Sequence, residues 1–205
     1  MSSKMSSKLA VVLFAVALTV ASSPIPAQEG ALKITAASEL PIWKTVVIGR
    51  HRGVDAVRNA LDAARVAIGD SADEILGRPA FTFAAEPREL NLVLVSVAAL
   101  GFGPEGGSLA DIHVRALRLG LELCPEEVGP QLRLQYRNQP VGEFLHVAMK
   151  PLRTYHGTPT DFSLANSGAG LALLGGSADP ELVIAGNVRF VFVRPSPFQA
   201  LLTSD

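Results

Sequence analysis

Residues Leu119–Met149 read LGLELCPEEVGPQLRLQYRNQPVGEFLHVAM, and the parsing of this stretch governs the rest of the chain. Gly120 is placed to end a preceding helix, and Pro125 with Glu126 and Glu127 opens a short helical turn favoured by acidic side chains at its start. After Pro130 the pattern has a period of two. Leu132, Leu134 and Tyr136 alternate with Gln131, Arg133 and Gln135; Arg137-Asn138-Gln139-Pro140 has turn chemistry; Glu143–Met149 alternates again. This predicts a β-hairpin with Leu132, Leu134, Tyr136, Leu145, Val147 and Met149 facing the core. The opposite face then gathers Gln131, Arg133, Gln135, Phe144, His146 and Lys150. A guanidinium, amides and an imidazole beside an aromatic ring suit a carboxylate, sugar or peptide ligand. Gln131, Arg133, Gln135 and His146 are therefore the candidate ligand-binding residues, although the polar face of any half-exposed sheet shows the same alternation.

The N-terminus predicts export. Lys4 and Lys8 precede the run Leu9–Val20, which is apolar apart from Thr19, and Ile25-Pro26-Ala27 offers a small residue for cleavage before Gln28. The run is shorter than the ~20 residues that span a bilayer. A signal peptide over 1–27, a linker over 28–40 and a periplasmic or secreted bacterial protein are expected, with no later transmembrane segment. Loss of 1–27 lowers Lys+Arg from 18 to 16 against 19 acids, a net charge near −3. That argues against nucleic acid, which requires a basic face. The single cysteine, Cys124, excludes an intramolecular disulfide. Beside Glu122, Glu126 and Glu127 it reads as a buried small residue rather than a thiolate nucleophile.

Upstream, Trp43–Ile48 is β-rich between Pro41 and Gly49, and Val54, Val57, Leu61 and Ala64 form one helical face within a helix over Val54–Ala67. Asp70 or Ser71 caps a short helix over Ala72–Leu76, and Phe81 and Phe83 suggest a short strand over 80–84. Leu92–Val97 reads as a strand buried on both faces. Gly101-Phe102-Gly103-Pro104-Glu105-Gly106 matches G-x-G-x-x-G literally. It lacks the tight strand-to-glycine turn, and Pro104 and Glu105 oppose a pyrophosphate, so it reads as a plain loop. Ser108 is an N-cap with Asp111 three residues on, ahead of the stripe Leu109, Ile112, Ala116 and Leu119. Asp161–Leu164 and Gly170–Leu174 flank a hairpin turn at Asn166-Ser167-Gly168, and Val188–Val193 is a strong strand before Pro195.

Several of these segments are shared with a group of uncharacterised bacterial proteins. They are Trp43-Lys44-Thr45, Ile75-Leu76-Gly77, the block Leu121–Pro125, Glu127–Tyr136, Gln139-Pro140 and Gly142-Glu143, and Phe192-Val193-Arg194-Pro195. Over roughly residues 40–195 the chain resembles that family. The resemblance implies no known activity, cofactor or catalytic residue.

The expectation is an α+β fold: two helical units over 50–125 packed on a mainly antiparallel sheet over 130–195, within a domain of 41–195 followed by a tail over 196–205. No G-x-S-x-G, H-E-x-x-H, Walker or EF-hand pattern occurs, and no cofactor or metal is expected. The leading functional reading is a non-catalytic binding module for a protein or small ligand. The alternatives are a hydrolase assembling Glu122, Glu126 or Glu127 with His113 or His146, and a structural envelope protein. His51 and His156 fall in loops without partners at ligand spacing.

Overall fold

The computed structural model describes residues 34–196. The expected signal peptide and most of the tail lie outside them. Strand β3 (Arg88–Ser96) is the second strand of the main sheet, flanked antiparallel by the edge strand β1 (Lys44–Ile48) and by β10 (Arg189–Val193). Beyond β10 come β5 (Phe144–Val147), β7 (Pro159–Asn166), β8 (Leu171–Ser177) and β2 (Ala67–Ile68), with β6 (Leu152–Arg153) also paired to β7. Only the β5–β10 and β2–β8 pairings are parallel, so the sheet is mixed and mostly antiparallel. A separate two-stranded ribbon joins β4 (Gly107–Ser108) to β9 (Val183–Ile184).

Alternation along the strands sorts the core into two layers. On one face Leu90, Leu92, Leu145, Val147, Phe162, Leu164, Val191 and Val193 pack with helices α1 (Val54–Ala63), α2 (Asp70–Leu76) and α4 (Val128–Gln135). On the other, Val93, Val95, Phe190 and Phe192 meet Leu109, Ile112 and Ala116 of α3 (Leu109–Arg118). β3 is thus buried on both faces, as its continuous apolar run requires. The fold is α+β, but its strands are not confined to the second half, since β1, β2 and β3 all precede residue 100.

Ser108 caps α3 as its spacing predicts, its Oγ accepting from the Asp111 amide at 3.1 Å. The β7–β8 hairpin closes at the expected turn. Three expectations fail. Helix α1 stops at Ala63, because Arg65 turns left-handed at φ 54 and the chain enters β2. Residues 80–84 form no strand: Phe81 is buried by ring contacts to Phe83 and Phe162 rather than by a ladder. The third is the predicted hairpin over 131–149. Its first arm is helix α4, and only its second arm is a strand.

The physical reason lies in how α4 closes the edge of the sheet. Glu127, Gln131 and Gln135 recur every four residues, so they form one row down a helix. The Gln135 side-chain amide accepts from the Val47 N–H at 3.0 Å and donates to the Val47 carbonyl at 2.8 Å, as a neighbouring strand would. The Glu127 carboxylate accepts from the Gly49 and Ala84 amides at 2.7 and 2.9 Å and from Gln131 at 3.1 Å. Gln131 also bonds His51 Nδ1 at 2.8 Å. Side chains of α4 therefore satisfy backbone groups that an open edge would leave available for pairing with another chain.

Candidate functional site

The four residues expected to share a hairpin face do not meet. Gln131 and Gln135 belong to the α4 row along β1. Arg133 is fully buried, the largest side chain in the core. It donates to the Gln139 side-chain oxygen and to the Tyr136 carbonyl, while its Nε has no partner. Burial and the neighbouring Arg137 lower its pKa to about 10, so it stays charged at neutral pH. His146 lies on the opposite face of the sheet, stacked on Phe190 at 5.1 Å between ring centroids. The premise of a shared polar face is corrected: a helix cannot pair with β5, and its polar residues are used internally.

The acidic candidates are held apart from the imidazoles as well. Glu127 is buried under α4, and Glu126 accepts from the Thr82 hydroxyl at 3.1 Å. Glu122 joins the edge of β10 through its backbone, bridging Val193. Cys124 is buried, its Sγ 3.4 Å from the Val191 carbonyl, and burial pushes its thiol pKa far upward. Such a thiol is inert. The glycine-rich loop bears on packing: a side chain at Gly106 would collide with the Ile184 carbonyl of β9.

On the α3 face strand alternation aligns His146 with Ser163 and Asp161 of β7. Ser163 Oγ lies 3.3 Å from His146 Nδ1. Ser163 has no exposed surface, however, so its hydroxyl cannot meet a substrate. Burial lowers the His146 pKa to about 4, which makes it a weak base. Asp161 is 2 % exposed, and its Oδ1 lacks a partner. Burial raises its carboxyl to about 8, so it is mostly protonated at neutral pH. Among the described residues three buried side-chain polar atoms are unpaired, and two of them, Asp161 Oδ1 and His113 Nε2, belong to this layer. Burial also lowers the His113 pKa. No group of three His, Cys, Asp or Glu among the described residues could hold a metal ion.

These two groups give opposite pH slopes. The folded state holds the Asp161 proton that the unfolded chain releases above pH 3.8. That contribution to stability is complete below pH 3.8 and is lost as pH rises toward 8. The folded state refuses the His146 proton that the unfolded chain takes up below pH 6.5. That contribution is complete above pH 6.5 and is lost as pH falls toward 4. Between 6.5 and 8 the Asp161 slope stands alone of the two. Asp161→Asn is expected to abolish a decline in unfolding free energy over that window and to gain about 2 kcal/mol on the wild type by pH 8, well below the full value of the shift because water and backbone relax around the charge. Urea unfolding of both proteins at pH 6.5 and 8 measures it, and identical slopes would refute the assignment.

Beside this layer the chain segment after β5 forms a ridge, Lys150–Arg153, with a cleft on each side. The first cleft, about 400 Å³, lies against α3 and is lined by Leu109, Ala110, His113, Pro151, Pro159 and Ala178 among others, with Lys150 and Arg153. No acidic residue lines it. The second, about 460 Å³, is lined by Arg78, Pro79, Ala80 and Glu126 together with the same ridge. Sequence patterning singles out Lys150 of this ridge but not Arg153. The available signal was the pair of cations, Lys150 and Arg153, bracketing Pro151 next to a β-strand. No helix among the described residues is long and apolar enough to cross a membrane. No protein-family model, no curated protein and no solved structure matches the chain.

Proposed function

We propose that the protein is a non-catalytic binding module, and that its ligand is a small molecule with an apolar body and a carboxylate, held in the cleft between α3 and the Lys150–Arg153 ridge. One observation carries this reading: the cleft has apolar walls, with Lys150 and Arg153 as its charged lining residues and no acid to neutralise them. Lys150 has no ion-pair or hydrogen-bond partner for its ammonium among the described residues. The volume falls in the range of small-ligand sites, about 300–1,000 Å³, which combine apolar walls with a few placed polar groups. Catalysis is disfavoured because the one serine–histidine contact among the described residues is sealed in the sheet, and because none of Glu122, Glu126 and Glu127 lines the cleft that holds His113.

The test uses octanoate as the probe, by isothermal titration on the full chain. Octanoate is expected to bind, with octanol at least about ten-fold weaker because it lacks the charge. Lys150→Glu is expected to remove octanoate binding. Ala110→Trp, which fills the cleft from α3, should remove it independently, with folding of each variant checked by circular dichroism. Equal affinity for octanol and octanoate, or wild-type affinity in Lys150→Glu, would overturn the proposal.

A further inference from the structure

On the far side of the ridge the second cleft is lined by three cations, Arg78, Lys150 and Arg153, in a protein of net charge −1. None of the three forms a salt bridge; the ion pairs among the described residues involve Arg58 and Arg189 instead. Two of them are held in place without losing their charge. The Arg78 guanidinium lies over the Tyr155 ring at 4.3 Å, and the Tyr155 amide is itself fixed to the Glu74 carboxylate. Arg153 donates one N–H to the Gly157 carbonyl at 2.6 Å. A guanidinium has five N–H donors, so the ring contact and the single carbonyl bond leave most of each fork free. One acid, Glu126, also lines the cleft; it accepts from the Thr82 hydroxyl at 3.1 Å, and the charged lining, three cations against one acid, carries a net charge of +2. Pro79 and Pro151 stiffen the two walls.

Like charges so gathered repel one another, and the arrangement costs free energy unless an anion occupies it. Planar forks from two arginines with a lysine as a point charge are the donor set that matches a tetrahedral oxyanion. Arginine grips two oxygens at once, and lysine neutralises the third. A single carboxylate could be matched by one fork; three cations suit a dianion.

We infer that this second cleft is a phosphate-binding site formed by Arg78 together with Lys150 and Arg153, the two cations it shares with the apolar cleft. It takes the dianionic phosphate group either as free inorganic phosphate or as a small phosphomonoester. The inference does not depend on octanoate binding, since Arg78 lines the second cleft alone and His113 and Ala110 line the first alone.

The experiment titrates inorganic phosphate into the full chain at constant ionic strength, read by calorimetry and by amide chemical shifts. Saturable binding with shifts at Arg78, Lys150 and Arg153 is expected. Arg78→Gln is expected to weaken it by about ten-fold, the value of one lost charge-assisted contact, and Lys150→Gln by a similar factor. Arg118→Gln, which removes an exposed cation at the end of α3, should change the affinity less than two-fold, about the scatter expected of a distant surface site. A parallel titration with glycerol phosphate separates the two sources, because tighter binding than inorganic phosphate identifies an organic phosphate and weaker binding identifies the free ion. Ala110→Trp should leave phosphate binding intact. Wild-type affinity in both Arg78→Gln and Lys150→Gln, or an equal loss in Arg118→Gln, would show diffuse attraction to surface charge and overturn the inference.

Discussion

Gly129→Ala is expected to destabilise the protein by about 3 kcal/mol or more, although the same change on an exposed helix stabilises by roughly 1 kcal/mol. The reversal has a geometric cause. A Cβ at Gly129 would lie 2.6 Å from Cδ2 of Phe162 and 2.7 Å from its Cβ and Cγ. Those atoms are the root of a ring buried at the centre of the sheet, edge-on to Phe81 at 6.1 Å, so they cannot swing aside. α4 must therefore lift from β7, and its lifting would break the Gln135 bonds to β1 and the Glu127 bond to Gly49 just after it. Urea unfolding of the variant measures the loss. Truncating the clashing side chain in Gly129→Ala/Phe162→Ala, which removes Cγ and Cδ2 and leaves only the Cβ contact, should recover part of it, giving an interaction energy of opposite sign to the single effects. A Gly129→Ala protein as stable as the wild type would mean that the helix does not approach the strand so closely.

Arg133→Met should cost about 3 kcal/mol or more, because it leaves buried acceptors without donors. The side chain ties the end of α4 to the turn that leads into β5. Its guanidinium serves the Tyr136 carbonyl and Gln139, and Gln139 in turn donates to the Glu143 and Leu164 carbonyls at 3.1 and 3.2 Å. The Tyr136 hydroxyl is bonded to Glu143 at 2.8 Å, and Glu143 is paired with Arg189 at 3.0 Å. Lysine is a poor replacement, since one ammonium cannot reproduce a planar fork toward two acceptors. Arg133→Lys is therefore expected to lose most of what Arg133→Met loses. Removing both partners in Arg133→Met/Gln139→Leu should cost less than the sum of the single changes, because fewer orphaned groups remain. Strict additivity in denaturant unfolding would argue that the network carries no coupling.

These two residues also show how much of the molecule could be read before its fold was known. Local signals were reliable where a single physical rule dominates. The apolar run of β3, the cap at Ser108 and the turn at Asn166-Ser167-Gly168 stand where their side chains predict. Residues 131–136 misled because strict polar–apolar alternation fits a strand, while the same residues also satisfy two helical rows. Glu127, Gln131 and Gln135 form one, and Val128, Leu132 and Tyr136 the other, each at a spacing of four. What separates the readings is a partner elsewhere in the chain. Gln135 meets Val47, 88 residues away, and Arg133 is buried where its charge suggested solvent. Of the expected site residues, His113 lines the first cleft, Glu126 lines the second, and His146 lies on the adjoining layer. Lys150 is expected on a polar face, but no motif ties it to Arg78 or Arg153; the three line one cleft only once the segment after α2 packs beside β6.

The block from Glu127 to Glu143 builds the fold, and we propose that the Lys150–Arg153 ridge does the binding. An amide chemical-shift titration with octanoate tests it most directly. The account predicts that perturbed amides cluster at Ala110, His113, Lys150–Arg153 and Ala178, with Arg133, Gln135 and Tyr136 unmoved. Shifts centred on Gln131, Arg133 and Gln135, with the ridge unmoved, would contradict it.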